Sequence, residues 1–422
     1  MMKFRSGRRA IRAPGARAAL IVGLGLGALI FKAGSERRPF SPVTHRLMEI
    51  QGLPAPVPLP SDKESVQERM IFLTARIKSD PEDFLALNML AGCYLARQRE
   101  TGDLDYLERA ARVVRKSLDV IPAERNLGGL ASLTQVEFTS HEFAAARDHA
   151  VRWTQIEPDS SAPYGALGDA QLELGQYDLA AKAFTKMEHF GGGVGTETRL
   201  ARLSFLQGRV ADAQKHYVNA VAFALNMPVP PPEAVAWSRW QLGETAFSFG
   251  DYRTAEQHYR DSLTTCPGYF RALASLGRVR AARGDVTGAI KNYEEAIQAF
   301  PDPAFVAALG DLYKIAGRNN DAAAQYTLVE QIGLLTKASG VLYNRQLALF
   351  YADHGMKPEA AYRNAVSEYA ARRDIYGADT VAWTALKAGK IEAARSAINQ
   401  ALRLGTQDAK LYYHAGMIAR AA

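Results

Sequence analysis

Cysteine is almost absent from this sequence: Cys93 and Cys266 are the only two among 422 residues. Two cysteines cannot form a disulfide framework and are too few for a cysteine-based metal site. A large net charge is also missing, because 51 basic and 44 acidic residues leave a net charge of +7. With 48% hydrophobic and 23% charged residues, the composition is that of a globular protein, which excludes disordered, collagen-like and mucin-like classes.

The small positive charge is confined to the N-terminus. Residues 1–46 contain ten Lys and Arg residues and one acidic residue, Glu36, which gives +9 (10 − 1). The rest of the chain therefore carries about −2 (7 − 9). Nucleic-acid-binding domains usually present a basic surface on the folded body, so we expect no nucleic-acid partner.

Recognisable catalytic and metal-binding patterns are absent as well. His141-Glu142 begins like the zinc motif His-Glu-x-x-His, but Ala145 occupies the second histidine position. His149 lies roughly 12 Å further along a helix, too far to share an ion with His141, so both are interpreted as surface histidines. Gly191–Gly195 joins two predicted helices and lacks the strand and lysine of a phosphate loop. The sequence predicts no catalytic residue, no metal, no cofactor and no enzyme.

An uncharged segment lies near the N-terminus. Ala18–Phe31 contains fourteen residues without charge, or about 21 Å of helix against a hydrocarbon core of roughly 30 Å. We predict a basic segment at 1–17 and a signal-anchor or transmembrane helix at 18–34. The six basic residues before it favour a cytoplasmic N-terminus and a single-pass membrane protein whose body is periplasmic or extracellular. Secretion after signal cleavage and a mitochondrial presequence are the alternatives.

A proline-rich linker follows at 35–60. Leu53–Pro60 has four prolines in eight residues, which favours extended polyproline II backbone and a stiff spacer. The folded body is assigned to 61–422. Ser61 and Glu64 match a capping box that would open a lead-in helix ending near Lys78.

From there the chain repeats itself. Seven glycines are spaced by 33, 42, 34, 33, 38 and 34 residues: Gly175, Gly208, Gly250, Gly284, Gly317, Gly355 and Gly389. An alanine stands five residues after each: Ala180, Ala213, Ala255, Ala289, Ala322, Ala360 and Ala394. Nine residues after five of them is an aromatic residue: Phe184, Tyr217, Tyr259, Tyr293 and Tyr326. The 42-residue spacing contains a proline-rich insertion, Asn226–Glu233.

Each recurrent residue suits one position of a helical hairpin. The glycine permits a left-handed backbone in the turn between two antiparallel helices. A large-small pair precedes each glycine, as in Leu167-Gly168, and the small member lets two helix axes approach. The aromatic residue fills the space beside it. One hairpin cannot bury its own apolar face, so such units must stack.

This pattern resembles the tetratricopeptide repeat, a helix–turn–helix unit of 34 residues with the same small, aromatic and proline positions. The organisation is similar to that of bacterial membrane-anchored members without assigned chemistry. The resemblance implies an all-α solenoid, a right-handed superhelix of about nine units. Asp408–Arg420 would be a tenth first helix that caps it.

In that family, first helices line a concave groove that holds a peptide or helix of a partner. The corresponding positions here are Arg199, Arg202, Trp237, Trp240, Glu244, Arg271, Arg278, Asp311, Lys314 and Arg345. The Lys/Asn pairing of chaperone-binding members is replaced by Gly165 and Asp169. We therefore expect a membrane-tethered scaffold that binds an unidentified protein or peptide. The alternatives are an accessory subunit of a cell-envelope enzyme or of a secretion or assembly machine, and an enzyme with an unrecognised site.

Overall fold

A computed structural model describes residues 65–338 and 345–422, and every regular element in these ranges is an α-helix. The segments predicted at 1–17, 18–34 and 35–60 lie outside the described residues. Within the described ranges, no helix combines the length and the apolar character needed to cross a membrane.

Twenty helices follow one another in these ranges. They are α1 Val66–Ser79, α2 Phe84–Thr101, α3 Asp105–Val120, α4 Leu127–Thr139, α5 Phe143–Ile156, α6 Ser161–Glu173, α7 Tyr177–Phe190, α8 Val194–Leu206, α9 Val210–Leu225, α10 Pro232–Ser248, α11 Tyr252–Thr265, α12 Phe270–Ala282, α13 Val286–Ala299, α14 Pro303–Ile315, α15 Asn319–Ala338, α16 Arg345–Asp353, α17 Pro358–Ala371, α18 Ile375–Lys387, α19 Ile391–Ala401 and α20 Ala409–Ala421.

These helices form nine stacked hairpins, α2–α3 to α18–α19, here called units 1 to 9. Helix α1 packs on unit 1, and α20 packs on unit 9 as the predicted further first helix. Each second helix packs against the next unit's first helix, and most consecutive first helices also touch one another. Consecutive second helices make fewer such contacts among the described residues, so they are further apart than consecutive first helices. In a curved stack the more closely spaced helices lie on the inner side, so the first helices form the concave surface. The predicted solenoid is confirmed.

The lead-in helix is confirmed, but its predicted start is wrong. Helix α1 begins at Val66, and its capping box consists of Ser65 and Glu68. The Glu68 carboxylate accepts from the Ser65 N–H at 2.8 Å, and the Ser65 hydroxyl accepts from the Glu68 N–H at 3.2 Å. The chain has two S-x-x-E patterns four residues apart, and the sequence pattern alone does not distinguish them.

In units 3, 5, 6 and 7 the small residue of the first helix is a glycine that contacts an aromatic ring of the second helix. A Cβ at Gly168 would overlap Phe184, and one at Gly243 would overlap Tyr259. Rings and helix axes are therefore in van der Waals contact, as the repeat pattern predicts.

One alanine departs from the predicted register. In unit 8 the fully buried alanine is Ala361, whereas Ala360 is partly exposed. The turn in this unit is one residue longer, because Lys357 adopts a left-handed backbone (φ 45°) before the second helix begins.

The turn glycines have the predicted backbone conformation, with φ between +64° and +81° at all seven positions. In unit 2 the turn residue is instead His141, with φ 64°, which is 6% exposed. Our interpretation of His141 as a surface histidine is therefore wrong.

Replacing Gly284 with valine is expected to lower the free energy of unfolding by about 2 kcal/mol, because a β-branched residue is strained at a φ of +81°. The midpoint of guanidinium unfolding measures this effect. Ala282→Val, at the exposed end of the preceding helix, should cost less than about 1 kcal/mol. Equal midpoints for the two variants would contradict the left-handed turn.

Candidate functional site: the concave groove

The centre of the groove, in units 5 to 7, carries an aromatic and cationic surface. The guanidinium of Arg271 lies 5.5 Å from the ring centre of Trp240, which projects from the preceding unit's first helix. The Trp240 Nε1–H donates to the Ser275 hydroxyl at 2.9 Å. Both Trp240 and Arg271 are half-buried, so each keeps one side open to solvent.

Glu244 and Arg278 form an ion pair beneath this surface. Arg278 donates to the Glu244 carboxylate at 2.5 Å, and the Tyr259 hydroxyl donates to the same oxygen at 2.7 Å. Burial alone would raise the pKa of Glu244, but Arg278 and these hydrogen bonds lower it below its ordinary value. The Arg278 guanidinium also lies 3.9 Å from the ring centre of Phe247. Glu244 thus positions the cation within the groove.

Asp311 and Lys314 continue the groove in unit 7, and both are exposed. The Asp311 carboxylate accepts from the Tyr326 hydroxyl and contacts Nε2 of His354 in the next unit, both at 2.7 Å. The structure thus brings Trp240, Arg271, Arg278, Asp311 and Lys314 onto the same helical layer of three consecutive units.

Two predicted groove residues are buried within the protein. Trp237 is 9% exposed and packs edge-on against Tyr217, with ring centres 6.0 Å apart. Arg345 is also 9% exposed and donates to Asp374 at 2.9 Å and to Glu368 at 3.2 Å. Burial raises the pKa of Glu368, whereas Arg345 and Arg372 outweigh burial at Asp374 and lower its pKa.

The two arginines of unit 4 pair with unit 3. Arg199 donates to Asp169 through Nε and Nη2, at 2.9 and 2.6 Å, although burial still raises the pKa of that carboxyl. A small surface pocket opens beside this pair, lined also by Ala131, Thr134, Gln135, Phe138 and Ala166. Arg202 donates to Glu173 at 2.8 Å, and Glu173 is fully buried.

The chain also contacts itself about 200 residues further on, a feature that the repeat pattern does not reveal. Arg372, in the loop after unit 8, donates to Glu173 at the end of the unit 3 first helix. The Ile375 N–H donates to the Tyr177 hydroxyl at 2.8 Å, and the Thr406 hydroxyl donates to the Leu206 carbonyl. At 33 to 42 residues per unit, this separation corresponds to about six units. Turns of units 3 and 4 therefore touch loops that flank unit 9.

The backbones themselves meet at this contact. A Cβ at Gly175 would overlap the Arg373 carbonyl, and one at Gly208 would overlap the Gly405 carbonyl. One hydrophobic cluster includes Tyr177 and Leu206 from the early units and Ile375 from unit 9. We name these contacts between units 3–4 and residues 372–408 the clasp.

The histidines of the described ranges form no metal site. In these ranges, no group of three or more His, Cys, Asp or Glu residues could hold a metal ion. The His149 ring contacts Glu137 at 2.7 Å, and His216 contacts Glu197 at 2.8 Å, both within the solenoid. Gly191–Gly193 connects α7 and α8, as its sequence predicts, and Gly195 lies in the first turn of α8.

A family comparison agrees with this geometry. Residues 241–304 and 274–333 match the family model described as "Tetratricopeptide repeat". They cover units 5 to 7, where glycine turns, small residues and aromatic rings occupy the positions typical of the repeat. The chain therefore contains tetratricopeptide repeats in units 5 to 7. No protein of curated function matches the sequence.

The chain is also similar to several solved structures. A chain of the APC/C hetero-tetramer Cut9–Hcn1 is 14% identical with a TM-score of 0.48, and the match covers 86% of this chain and 61% of that one. A tetratricopeptide repeat protein from Parabacteroides merdae is 15% identical, with a TM-score of 0.45 and coverage of 60% and 93%. Pseudomonas aeruginosa PilF is 16% identical, with a TM-score of 0.36 and coverage of 64% and 98%.

Proposed function

We propose that this tetratricopeptide repeat protein is a scaffold that binds a partner protein through the groove of units 5 to 7. The observation that supports the proposal is the open surface formed by Trp240, Arg271 and Lys314. Tryptophan and arginine dominate the energetics of protein interfaces, and here the ring and the guanidinium are already stacked on each other. A partner therefore meets two anchors whose conformations need little further ordering.

Photo-crosslinking in cells tests this groove directly. A photoreactive residue at Lys314, on a first helix, should give a stoichiometric adduct with one partner. The matched control is Lys291 on the second helix α13, whose side chain is 74% exposed on the convex side. Equal adducts from both positions, or adducts from Lys291 alone, would contradict groove binding.

Substitution of the anchors adds a quantitative test. Trp240→Ala combined with Arg271→Ala should weaken the crosslinked complex by at least about tenfold, the effect expected when interface anchors are lost. Arg260→Ala removes an exposed arginine that pairs with Glu256 on the second helix of unit 5, and it should leave the complex unchanged. Trp237 is unsuitable for this purpose, because its truncation would open a cavity in the core.

We further propose that residues 18–34 tether the scaffold to a membrane, with the body on the periplasmic or outer side. The uncharged run Ala18–Phe31 and the basic residues before it support this proposal. The full-length chain should remain in the membrane fraction after a high-salt wash, and a chain that starts at Ser65 should be released. Recovery of both in the soluble fraction would contradict a tether. An envelope enzyme or secretion machine as the crosslinked partner would instead identify an accessory subunit.

A further inference from the structure

The clasp affects how a partner protein can reach the concave groove. First helices face the inner side of the solenoid, and the chain returns onto units 3 and 4 after one superhelical turn. Units 3 to 8 and the clasp therefore close into a ring, with the first helices on its inner side.

The clasp consists of turns and loops. Helices that pack along one another belong to the same unit or to adjacent units, and the contacts between superhelical turns come mainly from side chains of loops and helix ends. Arg403, for example, lies 5.2 Å from the Tyr177 ring centre and donates to the Gly175 carbonyl at 3.3 Å. Each unit is stabilised by its neighbours along the chain, so the two turns can separate while every hairpin keeps both its helices.

Charged groups are prominent in the contact. The Glu173 carboxylate accepts from Arg202 of unit 4 and from Arg372 across the clasp, and Arg372 also lies 3.1 Å from Asp374. Water can solvate these groups when the contact opens, which lowers the cost of separating the polar part of the clasp. The apolar part, Tyr177 and Leu206 against Ile375, must be exposed as well. Arg202 and Arg345, both predicted as partner-binding residues, belong to this network.

We propose that the clasp gates the groove: closed, it excludes folded partners, and its opening lets a partner segment reach units 5 to 7. The proposal rests on the proposed function, because it concerns access to the same groove. It predicts that the groove is inaccessible to large molecules although the individual side chains are exposed.

Size-selective labelling tests the gate without a partner. In a chain with Cys93→Ala and Cys266→Ser, a single cysteine is placed at Lys314 or at the convex position Lys291. The measured quantity is the labelling rate of a polyethylene glycol maleimide of several kilodaltons, divided by that of N-ethylmaleimide. If the open form is about one tenth of the population or less, this ratio is about tenfold or more lower at position 314 than at position 291. Equal ratios would overturn the proposal.

Glycine substitutions provide a matched pair that opens or spares the clasp. Gly175→Ala with Gly208→Ala places two Cβ atoms against the opposing backbone. Gly250→Ala with Gly284→Ala has similar positive φ angles, but no neighbouring atom lies within 4 Å of either Cβ. The first double variant should raise the ratio at position 314 to that at 291, and the second should leave it unchanged. The same ratio for both would overturn the gate.

A milder variant covers the case in which the first pair fails to fold. Thr406→Val removes the hydroxyl that donates to the Leu206 carbonyl and keeps the side-chain shape. It should raise the labelling ratio at position 314 at least twofold without loss of helical circular dichroism, and an unchanged ratio would count against the clasp. Because no partner is present, these outcomes are independent of whether the groove binds protein.

Discussion

Arg372→Ala is expected to lower the free energy of unfolding by about 3 kcal/mol, at the lower end of the range for breaking a buried ion pair. Arg372 is 6% exposed and its partner Glu173 is fully buried, so removal of the guanidinium leaves a carboxylate that water cannot reach. Glu173 keeps its bond from Arg202, and Asp374 keeps its bonds from Arg345, which limits the loss. Guanidinium unfolding followed by circular dichroism measures it.

The adjacent residue supplies the control for this prediction. Arg373 is exposed, and its side chain makes no hydrogen bond or ion pair among the described contacts, although its carbonyl belongs to the clasp. Arg373→Ala removes the same charge at nearly the same place and should change stability by less than about 0.5 kcal/mol. Similar losses for the two variants would mean that net charge near residue 372, rather than the buried pair with Glu173, is responsible.

The repeat architecture can be predicted from the sequence because the residues that determine each hairpin lie within that hairpin. A glycine, an alanine and an aromatic residue recur at fixed offsets, and each has a local physical reason that a neighbour's identity does not change. Gly284, for instance, has a positive φ, and Ala289 is fully buried, as their spacing predicts. The one shift, from Ala360 to Ala361, comes from a turn that is a residue longer and carries no signature of its own.

The clasp could not be predicted because its residues follow no period. Arg372 lies in a loop between units, and its partner Glu173 is about 200 residues away. Arg372 and Glu173 meet only because the small rotation between successive units adds up over six units. The sequence of a single repeat does not determine this total rotation. The predicted groove positions depend on local register alone. Register shows on which helix face Arg345 lies. It does not show that the Arg345 guanidinium is already bound to Asp374 and Glu368.

Substitution of Gly243 by leucine should be among the most damaging single changes in the solenoid. The Tyr259 ring lies against this glycine and is fully buried, so even a Cβ would overlap it. We expect the free energy of unfolding to fall by about 3 kcal/mol, the upper part of the usual range for overpacked cores. Displacement of Tyr259 also removes its hydroxyl from Glu244, which orients Arg278 in the groove. Stability and partner crosslinking at Lys314 should therefore fall together.

A glycine-to-leucine substitution at Gly92 is expected to have the opposite effect on the free energy of unfolding. Gly92 lies in the interior of α2, is exposed, and has no atom within 4 Å of its virtual Cβ. Gly92→Leu replaces a poor helix former by a good one and should raise the free energy of unfolding by roughly 0.5–1 kcal/mol. Intrinsic helix preference favours leucine at both positions, whereas overpacking occurs only at Gly243. Guanidinium unfolding of both variants therefore separates helix preference from overpacking. A gain at both positions would show that the ring of Tyr259 moves aside freely, and that its tight contact with Gly243 does not stabilise this hairpin.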